Sequence, residues 1–424
     1  GDELVEGDAE RFGEGGDGEQ GRGGDAAGLD LADGLGRQPG RGGDIARDGW
    51  ALHTIDGGRA AHIEHTVRLP RTGRACSPPC DRPGDQVNGR GEGSGILVAM
   101  EQRTLGRTGR QVGVVGLGTW QLGADWGDVD EEQALATLRA AVESGITFFD
   151  TADVYGDGRS ERLVGRLLKE HPEVMVATKM GRRVPQDPSA YTLENFRAWN
   201  DRSRQNLGVD TIDLVQLHCP PTPVYSTDAV FDALDTLVEE GRIAAYGVSV
   251  ETCEEALTAI ARPGVATVQI ILNAFRLKPL ERVLPAAAEA GVGIIARVPL
   301  ASGLLSGRYT RDTVFPANDH RTFNRRGEAF DVGETFSGVD FETGLEAVAR
   351  LAPLVPEGMT MAQFALRWVI DQPGVSVVIP GARSPEQARA NAAAAGFPPL
   401  PESVHEQVRA VYDELIRPQV HHRW

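Results

Sequence analysis

Apolar residues fall into eight short, continuous runs between residues 113 and 381. The runs are rich in Val, Ile and Leu, and they comprise residues 113–118, 146–150, 174–179, 212–218, 243–250, 266–272, 292–299 and 375–381. A run without alternation of apolar and polar positions predicts a strand that is buried on both faces, which is typical of a parallel sheet.

The segments between these runs predict helices. Residues 130–145 begin with acidic side chains, carry apolar positions at helical spacing and end in glycine, as a capped helix does. Residues 160–170, 193–208 and 227–241 have the same periodicity. Eight strand–helix units predict an α/β protein with a closed (β/α)8 TIM barrel. A doubly wound sheet is the alternative, but GLGTW at residues 116–120 lacks the GxGxxG turn which that fold requires.

Residues 1–99 differ sharply in composition from the rest of the chain. They hold 24 of the 52 glycines and 11 arginines against 18 acidic residues, with no Lys, Tyr or Met. A segment without apolar periodicity buries too little apolar surface to offset chain entropy, so we expect it to be disordered. Because GC-rich non-coding DNA yields this composition on translation, we hypothesise a mis-called extension, with the native protein starting at Met100 and a barrel domain over residues 100–424.

The chain carries a formal net charge of −18 and a pI near 5.0. Nucleic acids and anionic membranes need a basic partner surface, so the charge argues against both as partners. With only 4 cysteines and no apolar run of membrane-spanning length, we expect a cytoplasmic location. Cys76 and Cys80 lack the spacing of a metal or redox pair, and His421 and His422 lack a third ligand, so no metal site is expected.

Four polar side chains stand at or just after the ends of the second, third and fourth predicted strands. Asp150 ends the second strand with Tyr155 five residues later, Lys179 ends the third and His218 ends the fourth. The carboxyl ends of barrel strands meet on the face that carries active sites. Each residue alone has an ordinary structural explanation, such as a turn-forming Asp or a Tyr at the rim.

The combination of these four residues predicts more than any one of them. A buried Lys179, held charged by Asp150, would lower the pKa of the Tyr155 phenol below its usual value of about 10. His218 would share a hydrogen bond with the oxygen of a carbonyl substrate. The group therefore predicts a general acid for carbonyl reduction, with the hydride coming from a cofactor.

At these residues the sequence resembles the aldo-keto reductase superfamily, in its bacterial NADPH-dependent form. The matching pieces follow the family order over nearly all of residues 101–400, and they are GLGTW (116–120), FFDTADVYG (148–156), ATK (177–179), LVQLH (214–218), GVS (247–249), VPLASGLLSGRY (298–309) and IPGARSPEQARAN (379–391). The resemblance implies a barrel that binds extended NADPH, with NADH less favoured. It also implies the tetrad of Asp150, Tyr155, Lys179 and His218, with Tyr155 as proton donor.

The resemblance further implies cofactor-binding positions. Thr119, Trp120 and Asp150 would lie near the nicotinamide, and Ser249 and Gln269 would bond its carboxamide. The phosphates and the adenosine would be held by Pro299, Leu300, Ala301, Ser302, Arg308, Gly381, Arg383, Gln387 and Asn391. A Gly-Ala-Arg turn that opens a helix also offers backbone N–H groups and a guanidinium to an anion, and Arg383 favours NADPH over NADH.

Three positions depart from the family pattern. Val250 stands where many relatives have Asn, and Arg308 replaces a common Lys. Arg297 stands where an aromatic residue often stacks on the nicotinamide. A guanidinium also stacks on planar rings, so we expect Arg297 to keep this cofactor-binding role.

The favoured function is reversible, NAD(P)H-dependent reduction of an aldehyde or ketone. The alternative is a nucleotide-binding sensor or regulatory subunit with little turnover, as in the potassium-channel β subunits to which the chain is distantly similar.

The substrate is expected to be a small carbonyl compound, and its identity does not follow from these motifs. The expected substrate wall comprises Trp120, Trp126, Tyr155 and His218, together with a long polar loop over residues 309–344. In that loop Phe315, Phe323, Phe330 and Phe336 predict an apolar wall, whereas Arg321, Arg325 and Arg326 favour an anionic or polyhydroxylated substrate.

Overall fold

The computed structural model describes residues 100–123 and 129–424. The strands in these ranges are β1 Gln102–Thr104, β2 Gln111–Gly113, β3 Leu117–Gly118, β4 Phe148–Asp150, β5 Met175–Met180, β6 Leu214–His218, β7 Tyr246–Ser249, β8 Val265–Ile271, β9 Gly293–Arg297 and β10 Val375–Val378. The expectations for residues 1–99, which include Cys76 and Cys80, and for Trp126 lie outside the described residues.

The α-helices of the described residues lie between consecutive barrel strands or after β10. They are α1 Trp120–Gly123, α2 Glu131–Glu143, α3 Arg159–Glu170, α4 Leu193–Leu207, α5 Asp228–Glu239, α6 Cys253–Ile260, α7 Pro279–Ala290, α8 His320–Phe323, α9 Phe341–Leu351, α10 Met361–Ile370, α11 Pro385–Ala392, α12 Glu402–Val411 and α13 Arg417–Val420. None of the helices described is long and apolar enough to cross a membrane.

Strands β3 to β10 form one parallel sheet in which each strand pairs with the next in chain order. The sheet closes on itself, because Val115 forms a parallel bridge with Val378 and Gly118 forms another with Gly381. This is the predicted (β/α)8 barrel. The doubly wound alternative is wrong, since an open sheet would leave β3 and β10 as separate edges.

Neighbouring residues of one strand pack into two different cores. Phe148 of β4 and Ile295 of β9 belong to a cluster with side chains from β5, β6 and β10, which places that cluster inside the barrel. Phe149 and Ile294, next to them in sequence, belong to the larger cluster between strands and helices. Side chains of a strand alternate between its faces, and both faces here are covered, so the strands appear in the sequence as continuous apolar runs.

A hairpin of β1 and β2, which the sequence pattern did not predict, precedes the barrel. Leu105 in its turn is fully buried and belongs to the cluster inside the barrel. Gly106 has a φ of +51°, and a Cβ there would collide with the backbone of Gly293 at the start of β9. Arg107 donates to backbone carbonyls beside β8 and α7 at 2.8–2.9 Å. The hairpin therefore closes the amino-terminal end of the barrel.

The predicted helices are confirmed with bounds that shift by at most two residues. Asp130 caps α2 by accepting from the backbone N–H of Gln133 at 2.8 Å. Helix α4 begins after Thr192 and ends at Leu207, because the following Gly208 has a φ of +71° and stops the helix.

Residues 309–340, here called the cover segment, form short helical turns that pack onto the carboxyl end of the barrel. The stretch is ordered by buried groups: His320, Asn324 and Phe336 are fully buried. The Asn324 side-chain oxygen accepts from the backbone N–H groups of Ala329 and Phe330 at 2.8 and 3.0 Å. The predicted polar loop is therefore a folded element with its own hydrogen bonds.

Candidate active site

A cavity of about 1260 Å³ opens at the carboxyl ends of the barrel strands. Most residues that the sequence predicted for the site line it, namely Thr119, Trp120, Asp150, Tyr155, His218, Ser249, Gln269, Arg297, Pro299, Leu300, Ser302, Arg308, Gly381, Arg383, Gln387 and Asn391. Lys179 and Ala301 are buried and do not belong to the lining. Trp126 lies outside the described residues.

Lys179 ends in a buried pocket beside Asp150 and Tyr155. Its Nζ donates to Asp150 Oδ1 at 2.5 Å, to the carbonyl oxygen of Thr151 at 2.9 Å and to Tyr155 Oη at 3.4 Å. Burial by itself lowers the pKa of the ammonium, but the charges of Asp150 and Tyr155 outweigh it, and the pKa lies above its usual value. Lys179 is therefore charged, as expected, and points at the phenol.

Asp150 is held from its other side by two amides. Its Oδ2 accepts from Gln269 Nε2 at 2.8 Å and from Gln216 Nε2 at 3.1 Å. The Thr119 hydroxyl donates to the Asp150 backbone carbonyl at 2.9 Å. The carboxylate is thus fixed by Lys179, Gln216 and Gln269 from three different strands, and Thr119 holds the backbone of the same residue.

The predicted lowering of the Tyr155 pKa is wrong for this structure. Burial raises the pKa of the phenol, and this outweighs the lowering effect of the Lys179 charge, while Asp150 and Glu334 raise it further. The sequence indicated the cation but not the extent of desolvation. Tyr155 is therefore protonated at neutral pH, which is the form that a proton donor needs.

His218 lies edge-on to Tyr155, with ring centroids 5.9 Å apart and an interplanar angle of 85°. Its Nδ1 is buried and has no hydrogen-bond partner among the described residues. Burial lowers the pKa of the imidazole well below its usual range, and the positive charges of Arg182, Lys179 and Arg297 lower it further. A neutral imidazole offers one N–H donor and one acceptor to a group in the cavity.

Aromatic rings form one wall of the cavity beside the phenol. The Trp120 ring stacks on Tyr155 at a centroid distance of 6.1 Å and an angle of 20°. The Trp120 ring also packs against His320 and Phe330 of the cover segment, with centroid distances of 5.0 and 5.8 Å. The cover segment therefore reaches the reaction end of the cavity.

The chain turns sharply after β9. Val298, Ala301 and Ser302 have φ values of 53°, 47° and 53°, a region that is costly for residues with a Cβ. The turn is held by its neighbours, because Asn273 Nδ2 donates to the Val298 carbonyl at 2.8 Å and Ser302 Oγ donates to the Glu334 carbonyl at 2.8 Å. Ala301 belongs to this turn through its backbone, and its side chain is buried.

The residues predicted to hold the adenosine lie in the turn before α11 and in α11 itself, and hydrogen bonds connect them. Ser384 caps α11 by accepting from the Gln387 N–H at 3.3 Å. Gln387 Oε1 accepts from the Arg383 N–H at 2.8 Å, and Asn391 Nδ2 donates to the Gly381 carbonyl at 3.1 Å. The turn presents a helix amino terminus and a guanidinium to the cavity.

Arg297 belongs to a group of four charges, Arg182, Glu251, Arg297 and Glu334, that we call the charge quartet. Arg297 Nη2 donates to Glu251 Oε2 at 2.9 Å, and Arg297 Nη1 donates to Glu334 Oε1. Arg182 donates to Glu251 Oε1 at 3.2 Å and to the backbone carbonyl of His218 at 3.0 Å. The quartet therefore lies directly beside the predicted tetrad.

The sequence carries no signal for three members of the quartet. Arg182, Glu251 and Glu334 lie at least 69 positions apart in the sequence, and only folding brings them together. Burial by itself raises the pKa of Glu251, but Arg297 and Arg182 outweigh it and hold the pKa below its usual value. Glu251 is therefore ionised.

The expectation of an anionic or polyhydroxylated substrate depends on three arginines, which the structure places differently. Arg321 is paired with Asp319, with Nε 2.8 Å from Oδ1. Arg325 lies over the Phe336 ring at 5.0 Å, and neither Arg325 nor Arg326 lines the cavity. Arg325 and Arg326 therefore offer no charge to the cavity, whereas Arg321 lines it with a charge that is offset by Asp319.

The predicted phenylalanine wall is confirmed in part. Phe315 and Phe330 line the cavity, whereas Phe336 is buried in the core. Phe323 is not part of the lining and packs against Phe330 at a centroid distance of 6.2 Å.

The cavity fits an extended dinucleotide phosphate. It continues from Tyr155 to the turn that opens α11, where Arg308 and Arg383 line it. The backbone of Gly381 lies against the flexible end of the Gln121 side chain, which also lines the cavity. Guanidinium groups and a helix amino terminus are the donors that a phosphate needs.

Comparisons with curated proteins agree with these features. The family model described as "Aldo/keto reductase family" matches residues 114–413. Aldo-keto reductase YhdN of Bacillus subtilis (strain 168) is 33% identical over 308 residues, which cover 69% of this chain and 87% of that protein. A probable voltage-gated potassium channel subunit beta of Oryza sativa subsp. japonica is 30% identical over 338 residues, which cover 74% of this chain and 96% of that protein.

Solved structures give the same result. The glycerol dehydrogenase AKR11B4 from Gluconobacter oxydans has a TM-score of 0.62 and 31% identity, and the match covers 74% of this chain and 96% of that one. An aldo/keto reductase from Klebsiella pneumoniae in complex with NADP and acetate has a TM-score of 0.54 and 26% identity, with the same coverage. The resemblance seen in the sequence is confirmed, and this chain belongs to the aldo/keto reductase family of oxidoreductases.

Proposed function

We propose that this protein reversibly reduces an aldehyde or ketone to the alcohol, with NADPH as hydride source and Tyr155 as proton donor. The observation that carries the proposal is the buried line from Asp150 through Lys179 to the Tyr155 hydroxyl, with His218 beside it. Membership of the family and the NADP complex of the Klebsiella relative support the choice of cofactor.

The tetrad donates the proton and stabilises the phenolate that remains. When bound, the reduced nicotinamide supplies a hydride to the carbonyl carbon. Tyr155 donates its phenol proton to the carbonyl oxygen as negative charge develops there. The Lys179 ammonium, 3.4 Å from Oη, stabilises the phenolate that remains, and Asp150 keeps the ammonium charged and aimed at the phenol.

His218 and Trp120 orient the substrate. A neutral imidazole N–H binds the carbonyl oxygen next to the phenol, and burial keeps His218 in that neutral form. Trp120, stacked on Tyr155, limits access of water and offers an apolar face to the body of the substrate.

The cofactor residues are proposed from the same cavity. Thr119, Ser249, Gln269 and Arg297 surround the nicotinamide end, and Gln269 also braces Asp150. The pyrophosphate is bound along residues 299–302. Arg308 would be a cation on the pyrophosphate side. Arg383 would bind the adenosine phosphate, which favours NADPH over NADH, and Gly381, Gln387 and Asn391 would hold the adenosine.

The alternative is a nucleotide-binding regulatory subunit with little turnover. The similarity to a potassium-channel β subunit supports it. The complete tetrad favours the enzyme, because a subunit that only senses nucleotide has no need of a protonated phenol braced by a buried ion pair.

The decisive variant is Tyr155→Phe. It deletes the proton donor and little else, so we expect turnover of an aldehyde panel to fall by about 10²- to 10⁴-fold, while the NADPH Kd from tryptophan quenching changes by less than about twofold. Tyr412→Phe, at a buried tyrosine outside the cavity lining, is the matched control and should keep full turnover.

Two outcomes would contradict the proposal. Equal loss of NADPH binding and turnover in Tyr155→Phe would deny the phenol its role as proton donor. NADPH binding by the unaltered protein without turnover of any aldehyde or ketone would favour the regulatory alternative.

A further inference from the structure

The cations next to Tyr155 are each offset by a carboxylate. Lys179 is paired with Asp150 at 2.5 Å. Arg297 is paired with Glu251 at 2.9 Å and directly with Glu334. Since His218 is neutral there, the reaction end of the cavity has two guanidiniums and one ammonium against three carboxylates, so its formal charges balance.

The members of the charge quartet differ in what they present to the cavity. Arg182, Arg297 and Glu334 line it, whereas Glu251 does not. The Glu334 side chain keeps only 12% of its surface exposed, and that of Arg297 only 8%. Glu334 is therefore the carboxylate that both neutralises Arg297 and lies on the wall that a substrate meets.

Balanced charges in a poorly hydrated wall disfavour an ion. An incoming anion would have to give up its hydration without gaining an unpaired cation, and it would be repelled by the Glu334 carboxylate. An uncharged carbonyl compound pays neither cost, and Trp120 and Phe330 offer it aromatic faces.

We propose that the charge quartet restricts this site to uncharged carbonyl substrates, and that Glu334 is the residue that excludes anionic ones. The inference rests on the proposed function and specifies its substrate class. It assigns specificity to the ion pair between Glu334 of the cover segment and Arg297 of β9, whereas the proton transfer is assigned to the tetrad.

The test uses 4-formylbenzoate and its methyl ester, which differ mainly in charge, with NADPH and the full chain. We expect the unaltered protein to prefer the ester. Glu334→Gln keeps the shape of the side chain but leaves Arg297 with a net positive charge. It should lower KM for 4-formylbenzoate by about tenfold while changing KM for the ester by less than about twofold.

Two further variants separate charge from folding. Glu328→Gln, at an exposed position of the same cover segment, should leave the ratio of the two KM values unchanged. The double variant Glu334→Gln/Arg297→Met restores the charge balance, so it should lose the gain for 4-formylbenzoate. If Glu334→Gln fails to fold, Glu251→Gln unpairs the same guanidinium from the other side and should shift the ratio in the same direction.

Each result decides a specific point. Turnover of both compounds with an unchanged KM ratio in Glu334→Gln and Glu251→Gln would overturn the inference and leave the proposed function intact. A preference of the unaltered protein for 4-formylbenzoate would do the same. If the unaltered protein turns over neither compound, the proposed function is overturned, and this inference with it.

Discussion

Asp153 stands two residues before Tyr155 and is fully buried, and neither of its carboxyl oxygens has a hydrogen-bond partner among the described residues. Burial raises the pKa of this carboxyl to about 7, and Glu161 raises it further, against the lowering effect of Arg183 and Arg202. Folding therefore keeps the Asp153 carboxyl protonated below neutral pH. Asp150, three residues earlier at the end of β4, differs in its surroundings because the Lys179 ammonium lies beside it.

Asp153 makes stability depend on pH. Because its folded pKa is raised, the folded state holds a proton that the unfolded chain releases, and stability falls as pH rises from about 4 through about 7. Asp153→Asn removes this penalty. We expect it to raise the free energy of unfolding by roughly 2–4 kcal/mol at pH 8.5 and to change it little at pH 4.

Urea denaturation at the two pH values measures the effect of Asp153→Asn. Asp157→Asn, at an exposed carboxyl whose pKa is lowered by Arg183, is the control and should give no gain at pH 8.5. A gain of equal size at both pH values would show that packing rather than ionisation is responsible.

Helix α6 positions one member of the charge quartet. Thr252 and Glu255 form a capping box, in which the Thr252 hydroxyl accepts from the Glu255 N–H at 3.2 Å and the Glu255 carboxylate accepts from the Thr252 N–H at 3.1 Å. The same carboxylate accepts from the N–H of Glu251 at 3.1 Å. The start of the helix therefore fixes the backbone from which Glu251 reaches Arg297.

Thr252→Ala should destabilise this helix start. We expect the free energy of unfolding to fall by about 1 kcal/mol, because one backbone N–H of the first turn loses its partner. Thr258→Ala, inside the same helix at a hydroxyl that donates to the Glu254 carbonyl, is the matched control and should change stability much less. Chemical denaturation of the three proteins decides the matter, and equal losses would mean that the capping box is not the cause.

The barrel separates the parts that stabilise it from the parts that carry the site. The hairpin of β1 and β2 closes the amino-terminal end with Leu105, and the cavity opens at the carboxyl end. In barrels of this type the amino-terminal end regularly contributes to stability, and the carboxyl end carries the active site. The barrel of residues 100–424, as far as it is described, contains both, and we propose that this stretch is the catalytic unit.

Two truncations test this division. A chain of residues 100–424 should keep the Tm and the NADPH affinity of the full chain. A chain of residues 114–424 matches the family model at its start but lacks Leu105 and Val112 from the interior. It should lose several kcal/mol of stability, on the scale of about 2–5 kcal/mol for each large apolar side chain removed from a core. Thermal unfolding and tryptophan quenching measure both, and equal Tm values would contradict the role of the hairpin.

The strands and the tetrad could be read from the sequence because their signals are local. Each barrel strand is a continuous apolar run, and Asp150, Lys179 and His218 end such runs, so their common face follows from the topology. The hairpin was missed because β1 and β2 have three residues each, too few for a periodic pattern. The order within the cover segment was missed as well, since it depends on single buried side chains such as Asn324.

Periodicity and motif order were therefore enough for the barrel, the family and the position of the tetrad. The tertiary structure alone decided how those groups ionise and what surrounds them. Tyr155 is raised in pKa rather than lowered because its burial outweighs the charge of Lys179. The pairing of Arg297 with Glu251 and Glu334 joins residues up to 83 positions apart, from Glu251 to Glu334. Desolvation and ion pairing depend on distances in the folded chain, and neither is encoded in the spacing of residues along it.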